Sequence, residues 1–226
     1  MNFLEINTVF FDMDGVLIDS EPFWKKAEFD VFKKEFDISL SEKDLEESMG
    51  LKTTEVVELH AKIYDIKYID VSSIGFEIEK RVVEQIIQFG KPKEGLYELL
   101  EWVNHKKWRR ALVTSSSHFI INAVLDFLKF NDFFEAKFSA YDELKGKPDP
   151  AVYLSALKYF NCSKEQVIVI EDSKNGVRSA ISAGLNVLSI PDQNHEKNMD
   201  FFHENAMGVF ENHFQIQSFL SQNLSK

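Results

Sequence analysis

Asp12 and Asp14 stand one residue apart at the end of an apolar run, "VFFDMDG", with Gly15 directly after them. Side chains at i and i+2 of an extended chain point the same way, so both carboxylates address one ligand from one side. Two equivalent carboxylates would be redundant. Two in different surroundings can divide the work, one ionised beside a cation as a nucleophile, the other carrying a proton as general acid and then base. Gly15 lets the chain turn sharply and approach a ligand closely.

Three more polar clusters follow apolar runs: Thr114, Ser115 and Ser116 after "RRALV", Lys147 after "AKFSAYDE", and Glu171 with Asp172 after "EQVIVI". Carboxylates brought this close repel one another unless a cation neutralises them. With no Cys or His among them the expected ion is hard and oxygen-liking, Mg²⁺ rather than zinc. Lys147 and the hydroxyl and backbone N–H groups at Thr114 and Ser115 add positive field suited to phosphate oxygens.

The elements that must position these groups alternate. Short β-favouring runs ("NTVFFDM", "RRALVTSSS", "AKFSAYDE", "EQVIVIEDS", "LNVLSIPD") are separated by helical segments ("HFIINAVLDFLKF", "PAVYLSALKYF", "KNGVRSAISAG"), the last closed by Gly184 as a C-cap. This predicts an α/β fold, a doubly wound parallel sheet with a Rossmann-like core, in which ligands sit at the carboxyl ends of strands. All four polar clusters lie there. Between the first and second strand, "WKKAEFDVFKKEF", "TTEVVELHAKIY" and "IGFEIEKRVVEQIIQF" read as helix only, with Pro22 suited to a first turn. The division expected is a catalytic core over 1–20 and 90–226 and a helical cap domain over 21–89, with Gly90, Pro92 and Gly95 marking the return.

"FFDMDGVLIDSE", "LVTSSS", "KGKPDP" and "VIEDSKNG" resemble, in order, the four motifs of the haloacid dehalogenase superfamily, over almost the whole chain. Within it, "DMDGVLIDSEPFW" and "MGLKTTEVVEL" are similar to the β-phosphoglucomutase-like branch and its sugar and hexitol phosphatases. The resemblance implies that Asp12 is a nucleophile forming an aspartyl-phosphate and Asp14 the acid/base, with Thr114, Ser115 and Lys147 holding the phosphoryl group. It also implies Mg²⁺ at Asp12, Asp172 and the Asp14 carbonyl with Glu171 behind them, and substrate contacts from Glu21, Gly50 and Lys52.

Each motif has a plainer reading beside this one. Asp-Met-Asp-Gly is a tight turn, "TSSS" and "IEDS" are helix caps, and "KGKPDP" is a loop with Asp149 as cap. Four such accidents at four successive strand ends, in this order, are improbable together. "HKKWRR" falls where a helix C-terminus meets a strand and is read as complementing the helix dipole; His118 is read as a surface helix start and Cys162 as packing.

Composition bounds the partners. At 226 residues with 44% hydrophobic and 28% charged residues the chain has ample core material, and a net charge of -11 opposes nucleic acid and anionic membranes. One cysteine allows no intramolecular disulfide. Glu5 stands where a leader peptide would carry positive charge, and no apolar run reaches the length of a membrane span, so a cytoplasmic location is expected. A monomer is the expected state, though no residue pattern fixes it.

The function expected is a Mg²⁺-dependent phosphatase for small sugar or polyol monophosphates. The alternative is a β-phosphoglucomutase-type isomerase, and a non-enzymatic binding protein is third. By resemblance, mutases of this branch carry a His near Trp24 and an Arg near Thr53, and both departures favour the phosphatase.

Overall fold

The run Thr-Val-Phe-Phe, Thr8–Phe11 (β1), is buried on both faces, as the centre of a parallel sheet requires. In this computed structural model, which describes residues 5–191 and 199–224, β1 pairs in parallel with Arg109–Thr114 (β2) on one side and Val167–Glu171 (β4) on the other. Ala136–Ser139 (β3), Asn186–Ser189 (β5) and Gly208–Val209 (β6) complete a parallel sheet of order β3-β2-β1-β4-β5-β6. The reading of the N-terminus falls partly outside the described residues, at 1–4, and so does Asp192 of the fifth predicted run.

Alternation along the strands feeds two cores. Val9, Phe11, Leu112, Ile168 and Ile170 pack with Leu96–His105 (α5), His118–Leu128 (α6) and His213–Leu224 (α10). Phe10, Ala111, Val113, Val167 and Val169 face Ala151–Phe160 (α7), Lys174–Ser182 (α8) and Met199–Asn205 (α9). Burial on both faces is why the strands read as apolar runs without polar alternation. The order reverses at β1, so its carboxyl end, where Asp12 begins, lies at the topological switch point.

Between β1 and α5 lies a helical cap: Glu21–Phe36 (α1), Glu42–Ser48 (α2), Thr53–Ile63 (α3) and Val71–Phe89 (α4). Helix α2 has Leu45 as its one large apolar residue, so hydrophobic periodicity does not announce it. Its signal is a capping box, in which Ser41 Oγ accepts from the Asp44 N–H at 3.2 Å and Asp44 Oδ2 accepts from the Ser41 N–H at 2.8 Å. Helix α4 begins before the predicted Ile74, because the Asp70 side chain caps it through the Ser73 N–H at 3.0 Å. Entry and exit of the cap run side by side, with Asp19 N–H donating to Lys91 O and Lys93 N–H to Leu17 O, each at 3.0 Å.

The plainer readings hold for individual residues. Ser117 caps α6, Ser173 caps α8 with the Gly176 N–H at 3.0 Å, and Gly184 follows α8 at φ +81°. Helix α5 ends at His105, ahead of "KKWRR", and Arg109 and Arg110 hold the carbonyls of Phe160 and Phe133 at 2.7 and 2.9 Å.

Candidate active site

Asp12 directly follows β1, where its N–H donates to Ile170 O at 3.0 Å, so its side chain leaves the sheet in a fixed direction. Lys147, only 2% exposed, donates from Nζ to Asp12 Oδ1 at 2.7 Å, Glu171 Oε1 at 2.6 Å and Val113 O at 2.9 Å. Its three protons are thereby directed to three strand ends at once. Burial alone would lower its pKa, but the carboxylates of Asp12 and Glu171 more than offset this and hold it above the ordinary lysine value. Glu171 is saturated: Tyr153 donates its hydroxyl to Oε1 at 2.8 Å, and the Asp172 N–H donates to Oε2 at 3.2 Å.

Asp12, Glu171 and Asp172 each present an oxygen within 4.8 Å of the others. Burial pushes the carboxyls of Asp12 and Asp172 well above their usual range, and the neighbouring carboxylates push the same way; for Asp12, Lys147 pulls back. Such a cluster holds excess negative charge that a cation would relieve, and its all-oxygen donors fit a hard divalent ion. With both oxygens of Glu171 occupied by protein donors, Asp12 and Asp172 are the ligands with capacity to spare. Gly15, at φ +73°, makes their approach possible, since a Cβ there would lie 1.9 Å from Asp172 Oδ2.

Asp14 has quite different neighbours. Its Oδ1 accepts from Ser20 Oγ at 2.6 Å and Trp24 Nε1 at 2.8 Å, and its Oδ2 from Ser116 Oγ at 2.6 Å. No lysine or arginine is paired with it among the described residues. Thr114 Oγ1 accepts from the Ser116 N–H at 3.1 Å, and Ser115 Oγ donates to Gly50 O at 2.7 Å. His118 stands on the surface beside Asp142 at 3.0 Å.

These groups enclose a cavity of about 60 Å³, with Asp12, Asp14, Thr114, Ser115, Lys147 and Asp172 on its floor. Glu21 and Gly50 line its cap side. Lys52 does not; its Nζ turns to Glu143 O at 3.4 Å and lies 3.6 Å from Glu55. The cation on the cap side is Lys25, which sequence reasoning passed over, paired with Glu21 at 3.3 Å. Glu28 and Ser48 were passed over too. A signal existed: Glu21, Trp24, Lys25 and Glu28 fall at i, i+3, i+4 and i+7, one face of α1.

The model of the haloacid dehalogenase-like hydrolase family matches residues 9–190, from β1 to the end of β5. The chain belongs to this family. Among its relatives is a phosphorylated carbohydrates phosphatase of Thermotoga maritima, 32% identical over 194 residues, covering 80% of this chain and 82% of that one. Hexitol phosphatase B of Escherichia coli strain K12 is 26% identical over 188 residues, covering 83% and 84%. The structure of β-phosphoglucomutase from Clostridium difficile superposes with a TM-score of 0.81 at 22% identity, over 98% of this chain and 100% of that one, a likeness of fold. Family membership accounts for the capped parallel sheet. No helix among the described residues is long and apolar enough to cross a membrane.

Proposed function

We propose that this phosphoric monoester hydrolase is a Mg²⁺-dependent phosphatase of small sugar or polyol monophosphates, working through an aspartyl-phosphate on Asp12. The observation that carries the reading is the divergence of two carboxylates in one loop: Asp12 beside Lys147 at 2.7 Å, Asp14 among neutral donors from Ser20, Trp24 and Ser116. Lys147 and a bound cation would favour Asp12 as the carboxylate that attacks phosphorus, and the proton transfers fall to Asp14, which the neutral donors orient. Asp12 and Asp172 would hold Mg²⁺, with Glu171 fixing Lys147 behind them. When bound, the ion would offset the repulsion between carboxylate and phosphate.

In the first half-reaction Asp12 attacks the phosphorus while Asp14 delivers its proton to the departing sugar oxygen. In the second, Asp14 takes a proton from water, which attacks the phosphorus and frees Asp12 and phosphate. Lys147, Thr114 and Ser115 hold the phosphoryl oxygens, Lys147 after exchanging one of its three protein bonds and Ser115 after giving up its bond to Gly50. The sugar or polyol class draws support from the phosphatases named among the relatives.

Transfer to a second sugar hydroxyl, the mutase outcome, calls for a cationic clamp in the cap. Lys25 is neutralised by Glu21, and Thr53 donates to Glu79 at 3.0 Å. The test is a panel of phosphorylated sugars and polyols assayed for released phosphate, with β-glucose 1-phosphate plus a trace of its 1,6-bisphosphate included. Glucose 6-phosphate forming faster than inorganic phosphate would refute hydrolysis as the main reaction.

A further inference from the structure

Glu28 is a buried acid for which the chemistry above has no use. It sits on α1 one turn beyond Trp24, whose indole N–H is already fixed on Asp14, and lines the same cavity. Only 6% of it is exposed. Ser48 Oγ donates to its Oε2 at 2.9 Å, and His60 Nε2, on a wholly buried ring, lies 3.2 Å from the same oxygen. Among the described residues no side-chain hydrogen bond goes to Oε1, and neither Lys nor Arg is paired with Glu28. The nearby Lys25 is turned to Glu21 instead.

A carboxylate this buried is costly unless its oxygens are hydrogen-bonded. Here one oxygen is held by donors from α2 and α3, and the group as a whole borders the space above the phosphoryl site. We propose that Glu28 is a specificity-determining residue, its free oxygen accepting a hydrogen bond from a hydroxyl of a neutral polyol or sugar whose phosphate sits at Asp12. Ser48 and His60 hold the carboxylate at the angle this requires. With Glu21 and Lys25 on the same helix face offsetting one another, Glu28 leaves this end of the cavity with a net negative charge that opposes a second anionic group on the substrate. The inference rests on the phosphatase reading and narrows it to substrates with a single phosphate and a neutral hydroxylated tail.

The experiment compares wild type, Glu28→Gln and Ser48→Ala on three probes: sorbitol 6-phosphate, 6-phosphogluconate, whose far end is a carboxylate, and p-nitrophenyl phosphate, which has no hydroxyl to offer. Wild type should favour sorbitol 6-phosphate over 6-phosphogluconate. Glu28→Gln should lose about 10- to 100-fold in kcat/KM on sorbitol 6-phosphate, the scale of a hydrogen bond to a charged acceptor. The same variant should stay within about twofold of wild type on p-nitrophenyl phosphate and should discriminate less against 6-phosphogluconate. Ser48→Ala, which loosens the carboxylate without removing it, should show a smaller loss confined to the hydroxylated substrates, and it decides the matter if Glu28→Gln does not fold. Equal losses on all three probes, or none on sorbitol 6-phosphate, would overturn the role of Glu28 and leave the phosphatase standing. No release of phosphate from any probe by wild type would instead overturn the phosphatase.

Discussion

Two glycines in helices should respond to alanine with opposite signs. Replacing an ordinary helical glycine stabilises a protein by about 0.5–1 kcal/mol, because the unfolded chain loses freedom. Gly75, buried in α4, meets that condition: a Cβ there would lie 3.8 Å from Thr53 Cγ2, an ordinary contact. At Gly176, in the first turn of α8, the same Cβ would lie 2.0 Å from both carboxylate oxygens of Glu171. That carboxylate cannot swing aside cheaply, since it is wholly buried and receives Lys147 and Tyr153 at 2.6 and 2.8 Å. Displacing it breaks a buried ion pair, at a cost of about 3–5 kcal/mol. Set against the helical gain, Gly176→Ala should destabilise by about 2–4 kcal/mol. It should also lower phosphatase activity, because Lys147 loses one of the groups that aim it at Asp12. Urea unfolding of both variants, with released phosphate measured alongside, gives the comparison. If Gly176→Ala were stabilising and fully active, Glu171 would not be the fixed support of Lys147 inferred here.

Other perturbations separate the remaining groups. Asp12→Asn should abolish phosphoryl-enzyme formation and lower turnover by about 10³-fold or more, whereas Asp14→Asn should still accept phosphate from an activated aryl phosphate, whose leaving group needs no proton, and stall at its hydrolysis; trapping of labelled enzyme distinguishes them, and turnover by Asp12→Asn near the wild-type rate would exclude it as nucleophile. Chelation by EDTA should abolish activity and Mg²⁺ restore it, with Ca²⁺ inhibiting through its looser coordination; full activity in EDTA would refute the metal reading. His213, wholly buried with Nε2 2.7 Å from Val16 O, has its pKa lowered from 6.5 to about 4, chiefly by burial. Within that window the unfolded chain binds a proton that the folded chain refuses, so stability present above pH 6.5 should fall as pH drops toward 4, by about 3 kcal/mol; urea unfolding across the window checks it, and an unchanged pH slope in His213→Gln would refute the assignment.

The strands and their end clusters were legible because each strand is apolar on both faces and the groups that do chemistry collect where the apolar run stops. β6 was not, since two residues, Gly208 and Val209, carry no pattern. The cap side of the cavity was read less well for a physical reason. A stripe of Glu21, Trp24, Lys25 and Glu28 on an amphipathic helix looks like a solvated face, and only packing against the core makes it a cavity wall. Lys52 shows the reverse. Beside Gly50 in sequence it looked poised over the site, but at the start of α3 its side chain runs toward Glu143 O instead. Trp24, noticed in the sequence for what it replaces, proves to be a donor to Asp14.

Cap and core meet around the cavity rim through loops that also carry the chemistry. Ser115, next to Thr114, donates to Gly50 O at 2.7 Å, and the N–H of Gly146, next to Lys147, donates to Glu55 at 2.9 Å. Asn175, three residues past Asp172, donates to Met49 O at 2.9 Å. Glu79 on α4 accepts from Ser117 at 2.7 Å and Tyr141 at 3.1 Å. The two bonds to carbonyls are worth about 1 kcal/mol each net and the three to Glu55 and Glu79 about 1.5–3 each, so the carboxylates supply most of what holds cap to core. These contacts border the cavity, so they set how far cap and core can part around a bound substrate. Asp14 is hydrogen-bonded from both sides of that boundary, by Ser116 of the core and Trp24 of the cap. The group assigned the proton transfers is thus the one whose surroundings are completed by the cap, which ties the chemical step to the contact between cap and core.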